Sequence, residues 1–428
     1  MILSPVECLK HYFGYESFRG GQESLVRAIL DGSDVLGILP TGAGKSICFQ
    51  VPALMMSGVT IVVSPLISLM KNQVNALTEK NIPAAFLNSS LSEAQLDKAM
   101  TNAKNGKYKL IYVAPERLFS YSFLTFAQNA KISMLTVDEA HCISQWGHDF
   151  RPSYTRIGEF ATYLPKRPVI SAFTATATKH VRNDIINLLG LQSPKFLTTG
   201  FDRENLYIEV HRTREKFPAL LSFLEPREDK SGVIYCSTRG AVEEVCLRLR
   251  HAGYPVTKYH AGLTSQERQK NQDDFIRDRA PIVVATNAFG MGIDKPNVSY
   301  VVHYNMPMNI EGYYQEAGRA GRGGDLASCV LLYDDRDVQT NIKMIENNSD
   351  KNRDENAEKE RIERETALLR EMISFCTTTD CYRAFILEYF GETPPKYCGF
   401  CGNCGIEGDT LSVGEAVRGF FARIFGRG

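Results

Sequence analysis

Asp34-Val35-Leu36-Gly37-Ile38-Leu39-Pro40-Thr41-Gly42-Ala43-Gly44-Lys45-Ser46-Ile47-Cys48-Phe49 is the stretch whose reading decides the fold. The apolar run Asp34–Leu39 reads as a buried strand and Ile47–Met56 as a helix. Between them lies a turn with glycine at 42 and 44, followed at once by a lysine and a serine. Glycine lets backbone N–H groups approach phosphate oxygens, and a helix N-terminus adds a favourable dipole. Thr41, Gly42, Gly44, Lys45 and Ser46 are therefore expected to cradle ATP. Lys45 would reach the β- and γ-phosphates and Ser46 would ligate Mg²⁺. Leu39 stands where the strict P-loop pattern has glycine, so the assignment uses the shorter form with Gly42 and Gly44.

Working outward, short β-branched runs alternate with helical stretches: Thr60–Ser64, Lys109–Val113, Met134–Val137 and Val169–Thr174. The pattern restarts after Gly200 with Gly232–Cys236, Val256–Tyr259, Ile282–Ala285, Tyr300–His303 and Cys329–Tyr333. Uniformly apolar strands between helices imply a parallel sheet covered on both faces. The expected fold is α/β: two tandem RecA-like lobes, residues 1–200 and 201–340, then a helical zinc-binding subdomain, 341–408, and an amphipathic tail, 409–428. The highly charged segment Lys351–Arg370 reads as a solvated helix whose Leu368, Leu369, Met372, Ile373 and Phe375 turn inward. In the tail, Val413, Ala416, Val417, Phe420, Phe421, Ile424 and Phe425 share one helical face, expected to dock on the protein itself.

A chain of 428 residues exceeds what one core accommodates, in line with two or three domains. Lys plus Arg number 49 and Asp plus Glu 49, so any nucleic acid must be held by a local groove and not by a whole-protein basic field. No run reaches membrane-spanning length and no basic-then-apolar leader opens the chain. The expectation is an intracellular protein with no membrane partner, cytoplasmic and at the nucleoid if bacterial.

Asp138-Glu139-Ala140-His141 follows the strand Met134–Val137, at the strand end where α/β sheets bind ligands. Asp138 would hold Mg²⁺ through water, Glu139 would orient and deprotonate the attacking water, and His141 would couple this turn to the rest of the lobe. In Gln315-Glu316-Ala317-Gly318-Arg319-Ala320-Gly321-Arg322 the two arginines lie three apart and would share a helical face. Arginine suits a finger at the phosphates because its charge is permanent and its fork is bidentate. Two lobes are expected to close around ATP and to reopen on hydrolysis. Eleven cysteines include Cys381, Cys398, Cys401 and Cys404, whose count and spacing fit a closed tetrahedral Zn²⁺ site. Cys376 could compete as the first ligand.

Further segments carry a resemblance. They are Ser64-Pro65-Leu66-Ile67-Ser68-Leu69-Met70, Ala114-Pro115-Glu116-Arg117, Thr174-Ala175-Thr176-Ala177, Tyr259-His260-Ala261-Gly262-Leu263 and Gly290-Met291-Gly292-Ile293-Asp294-Lys295-Pro296. With Cys142-Ile143-Ser144-Gln145-Trp146-Gly147-His148-Asp149-Phe150-Arg151-Pro152 they make residues 8–408 resemble the RecQ family of superfamily-two DNA helicases. The resemblance implies that Tyr15 stacks on adenine, Gln22 bonds its edge and Arg19 supports the pocket, with Asp294 also at the nucleotide. It favours Cys381 over Cys376 as first zinc ligand.

For DNA, the aromatic loop offers Trp146, His148, Phe150 and Arg151, bounded by Gly147 and Pro152. By resemblance it senses single-stranded DNA and signals the ATP site. Ser64, Ser68 and Thr286 are further expected phosphate contacts. The resulting expectation is an ATP-dependent 3′→5′ DNA helicase acting on single-stranded and partly duplex DNA in repair or recombination. An ATP-gated annealing or remodelling scaffold and an RNA helicase are the alternatives. Two dozen residues follow Cys404, too few for the winged-helix and HRDC domains common in the family, so the chain is a short form or a fragment.

Overall fold

The apolar run ahead of the phosphate turn is an interior strand of a parallel sheet. The computed structural model describes residues 3–40, 42–147, 149–290, 295–348 and 354–406, and these form two compact units divided between Phe201 and Asp202. In the first unit the strands are β1 (Val35–Ile38), β2 (Val59–Val63), β3 (Ala84–Leu87), β4 (Leu110–Val113), β5 (Ile132–Val137), β6 (Val169–Thr174) and β7 (Lys195–Thr198). They lie in the order β3-β4-β2-β5-β6-β1-β7, every pairing parallel. β1, β2 and β4 are buried along their whole length, which is why their sequences are continuously apolar and do not alternate. Helix Gln22–Leu30 packs Leu25, Val26 and Ile29 into the core with Val35, Phe49, Tyr112 and Phe173.

Strand order positions the chemistry. β6 lies between β5 and β1, with Val137 opposite Ala172 and Ile38 opposite Thr174. The ends of β5 and β1 are thus two strand spacings apart, about 10 Å. The acidic turn after β5 and the glycine turn after β1 emerge from the same edge of the sheet.

The second unit repeats the plan with β8 (Leu206–Arg212), β9 (Ser231–Tyr235), β10 (Val256–Tyr259), β11 (Ile282–Ala285), β12 (Val298–His303) and β13 (Ala327–Tyr333). A short antiparallel hairpin, β14 (Phe400–Cys401) and β15 (Gly405–Ile406), completes the order β10-β11-β9-β12-β13-β8-β14-β15. Cys401 pairs with Ile208, and the Gly402 N–H donates to the Ile208 carbonyl at 2.8 Å. The cysteine hairpin therefore continues the sheet of the second lobe. Tyr207 and Phe400 meet edge to face across this junction, 5.3 Å between ring centres.

Helix Glu355–Thr377 is solvated over its first half and buries Leu369, Met372, Phe375 and Cys376 over its second. Within the charged half, Arg361 is buried, paired with Glu358 and Glu365 and donating to the Ile345 carbonyl at 2.8 Å. It thereby fastens this helix to helix Asp335–Asn347. No helix among the described residues is long and apolar enough to cross a membrane. The architecture is two tandem RecA-like α/β lobes with a helical, four-cysteine region following the second. The tail 409–428 lies outside the described residues.

Candidate active site

Gly44 caps helix Lys45–Met55 at φ 75°, with no side chain on the helix's first N–H groups, and Gly42 has φ 86°. Only glycine takes two such turns without steric cost, and the result is an uncapped helix start of the kind that binds phosphate. Lys45 and Ser46 are the first two helical residues, both half-buried, with Lys45 Nζ 3.4 Å from the Leu39 carbonyl. Thr41 lies outside the described residues.

Tyr15 is 50% exposed, with the Arg19 guanidinium 6.0 Å from its ring centre. Gln22 was expected to bond adenine, but its amide is committed within the protein. Its Nε2 donates to the Ala43 carbonyl at 2.7 Å and the Gly44 carbonyl at 3.2 Å, while Oε1 accepts from the Arg19 N–H at 2.9 Å. In this structure it straps the segment before helix Gln22–Leu30 to the phosphate turn, a link that sequence reading missed.

Asp138 and Glu139 sit together at the tip of β5. The Asp138 N–H is used by the Val63 carbonyl (2.9 Å), and its Oδ1 accepts from the Glu139 N–H at 3.0 Å. Burial, then the adjacent Glu139 carboxylate, pushes the Asp138 carboxyl up to about 7, with Lys45 pulling the other way. Glu139 holds φ 48°, a left-handed backbone that costs a non-glycine residue about 1 kcal/mol or more. Its Oε2 is buried without a hydrogen-bond partner, 3.4 Å from His141 Nδ1. Buried Asp138, with Lys45 near it, and half-buried Glu139 beside it form an oxygen-rich tip that fits a divalent cation. His141 Nδ1 lies 2.8 Å from Thr174 Oγ1 at the end of β6, and Thr174 Oγ1 donates to the Thr176 carbonyl at 3.0 Å. That chain ties the acidic turn to the neighbouring strand.

The loop after His141 folds back onto the same turn. A Cβ on Gly147 would stand 2.3 Å from the His141 carbonyl, so only glycine permits this approach. The Arg151 N–H donates to the Cys142 carbonyl at 2.9 Å, and the buried Tyr154 hydroxyl donates to the Asp138 carbonyl at 3.0 Å. Tyr154 was missed, because a buried tyrosine sixteen residues past Asp138 carries no local pattern. Trp146 is 38% exposed, its ring 5.2 Å from that of His180. Phe150 is half-buried, and His148 lies outside the described residues.

Arg151, expected as a DNA contact, is an internal strut here. Its fork grips Asp149 at 3.0 and 3.1 Å and donates to the Pro65 carbonyl at 2.8 Å, leaving its charge neutralised. Ser64 is fully buried, with its N–H paired to the Val113 carbonyl at 3.2 Å. Ser68 is exposed in the first turn of helix Ile67–Glu79, and Thr286, nearly buried, follows β11.

In the second unit, helix Ile310–Ala317 ends before the two arginines, so they do not share a helical face. Arg319 and Arg322 lie in the succeeding turns and line one small cavity with Tyr235, Phe289, Gly290 and Lys295. Asp294 lies outside the described residues. Arg203 and Asn205, also missed, hold the carbonyls of this arginine turn. Arg203 donates to Ala320 and Gly321 at 3.0 Å each, and Asn205 to Gly321 at 2.9 Å and Asp325 at 2.8 Å.

Cys381, Cys398, Cys401 and Cys404 place their sulfurs within 4.8 Å of one another, Cys381 and Cys401 being 3.9 Å apart. Four thiolates about 2.3 Å from one tetrahedral ion stand close to 3.8 Å apart, so the donor set fits Zn²⁺ with no position left for a substrate. Cys376 is outside this group, buried in the core of the second unit.

Comparison with known proteins agrees with this geometry. Residues 19–184 match the DEAD/DEAH box helicase family, 215–324 the helicase conserved C-terminal domain and 335–405 the RecQ zinc-binding family. The chain is 44% identical over 419 residues to an ATP-dependent DNA helicase RecQ of Bacillus subtilis, covering 98% of this chain and 69% of that one. It is 42% identical to the RecQ helicase of Pasteurella multocida, covering 94% and 62%. The chain thus spans about two thirds of the length of these relatives. Among solved structures, yeast Dbp5 bound to RNA and ADP BeF3 superposes with a TM-score of 0.64 at 20% identity, over 81% of this chain and 91% of that one, a likeness of fold. With both helicase domains and the four-cysteine region matched in order, this chain belongs to the RecQ family of ATP-dependent DNA helicases.

Proposed function

We propose that this chain is a DNA-stimulated ATPase that moves 3′→5′ along single-stranded DNA and separates duplex strands, serving repair or recombination. The observation that carries the reading is the packing of the Trp146 loop onto the hydrolytic turn through Gly147, Arg151 and Tyr154. A base stacked on an aromatic ring contributes roughly 1–3 kcal/mol. The part of that energy that differs between two states of the hydrolytic turn is what would gate turnover from the loop. Polarity and pathway rest on the family resemblance.

In this reading Lys45 and the uncapped helix start hold the phosphates, and Tyr15 and Arg19 hold the base. Ser46 and Asp138 hold Mg²⁺, which supplies charge neutralisation at the phosphates. Glu139 orients the attacking water and accepts its proton, and Arg319 and Arg322 meet the charge that grows on the phosphate oxygens. The four cysteines hold Zn²⁺ in a structural role.

The test is ATP-driven strand separation on duplexes carrying a 3′ or a 5′ single-stranded tail. Opening of the 3′-tailed duplex alone is expected; opening of the 5′-tailed one overturns the polarity, and opening of neither leaves an annealing or remodelling ATPase. Matched DNA and RNA strands, compared as stimulators of ATP hydrolysis, separate a DNA from an RNA helicase. Trp146→Ala is expected to retain basal hydrolysis and lose most of its stimulation by single-stranded DNA.

A further inference from the structure

Entirely inside the second unit, the helix capped by a zinc ligand is linked by two arginine forks to the arginine turn. Cys381 caps helix Tyr382–Tyr389, its sulfur accepting from the Ala384 N–H at 3.4 Å. The second residue of that helix, Arg383, is buried. Its Nη1 donates to Asp202 Oδ1 at 2.6 Å and the Arg203 carbonyl at 2.8 Å, and its Nη2 to the Leu206 carbonyl at 2.8 Å. Its Nη2 also lies 3.4 Å from the Glu204 carbonyl. One guanidinium, carried on the helix that Cys381 caps, thus fixes the backbone of residues 202–206.

From that backbone the next fork reaches forward. Arg203 Nη2 donates to the Ala320 and Gly321 carbonyls, and its Nη1 lies 3.4 Å from the Gly318 carbonyl. Those carbonyls flank Arg319 and immediately precede Arg322. From the other side, the Gly321 N–H is held by the Val298 carbonyl at 2.9 Å. The turn keeps short i→i+3 bonds of its own, Arg319 N–H to Glu316 and Ala320 N–H to Ala317 at 3.1 Å each, and the clamps hold its carbonyls from outside. A planar fork can meet several carbonyls at once, which an ammonium cannot do in the same fixed geometry.

We propose that Arg203 is a positioning residue for the arginine turn, and that Arg383 couples its placement to the zinc site. This rests on Arg319 and Arg322 acting at the phosphates, as read above. Misplacing a catalytic group by about 1 Å costs on the order of 100-fold, so loosening the clamp should lower turnover and spare ATP binding.

The experiment uses the full chain loaded with zinc. Arg203→Lys is expected to lower the kcat of DNA-stimulated ATP hydrolysis by roughly 10- to 100-fold with KM for ATP within about twofold. Zinc should stay at one ion per chain and the melting profile near that of the parent. Hydrogen exchange read on the peptide spanning residues 318–325 should speed up in Arg203→Lys and in Arg383→Lys, but not in Arg322→Ala. Unchanged exchange there, or a kcat loss matched by lost zinc or lost fold, overturns the proposal. A double variant keeps the two readings apart: in an Arg322→Ala background, Arg203→Lys should add little further loss. Full additivity would show that Arg203 acts elsewhere, whereas hydrolysis surviving Arg322→Ala would sink the finger assignment itself.

Discussion

The phosphate turn of the first lobe and the arginine turn of the second are built in opposite ways. The first is local: a strand, two left-handed glycines and a helix start within a dozen residues, with strand order bringing the acidic tip alongside. The second has no regular element under it and is held by side chains more than a hundred residues away, Arg203 and Asn205. The first site carries an oxygen-rich acidic tip that fits a cation; the second carries positive charge whose aim depends on borrowed clamps. A backbone-built site tolerates change at a distance, and a clamp-built site does not.

Removal of zinc should test this difference most severely. Binding to closed cysteine sites is worth about 10–16 kcal/mol in zinc-finger peptides. Chelation is expected to unfold the hairpin and helix Tyr382–Tyr389 and to abolish turnover, while a fluorescent nucleotide still titrates onto the first lobe. Parallel loss of nucleotide binding would erase the contrast. Next in size, Arg322→Ala should slow hydrolysis by about 10³-fold or more with nucleotide affinity retained, measured by single-turnover kinetics beside equilibrium binding.

Gly147→Ala should force the loop away from the His141 carbonyl at a cost of about 1–3 kcal/mol. DNA-free hydrolysis should survive better than its stimulation by DNA, and equal losses of both would break the proposed coupling. Tyr154→Phe leaves the buried Asp138 carbonyl without its donor, costing about 1–3 kcal/mol by urea unfolding. The smallest expected effect is on pH. With the Asp138 carboxyl raised to about 7, a proton competes with the cation below that pH and is displaced above it. Apparent Mg²⁺ affinity should therefore rise about tenfold from pH 6 to pH 8, and a flat profile would mean that Asp138 is already ionised.

How much of this was legible follows the same division. The runs at Asp34–Leu39 and Met134–Val137 announced their strands because both faces are covered, so their residues are nearly all apolar and do not alternate. β7 was not legible, since an exposed edge strand beginning with Lys195 has no apolar run, and β8 loses its apolar character toward His211 and Arg212. The glycine turn and the cysteine cluster were legible because their ligands are close in sequence. Gln22, Tyr154, Arg203 and Arg383 act across long separations through carbonyls, and a carbonyl leaves no mark in a sequence. The internal bonds of Arg151 and the burial of Ser64 were not legible either, because a recognised segment does not say which way a polar side chain points.

The hairpin β14–β15 has one more consequence. It pairs on β8 at one position, Cys401 against Ile208, and so occupies the middle of what would otherwise be an open strand edge. Open edges recruit strands from other molecules. Metal-stripped chains, their hairpin unfolded, should therefore clump in a concentration-dependent way as that edge opens.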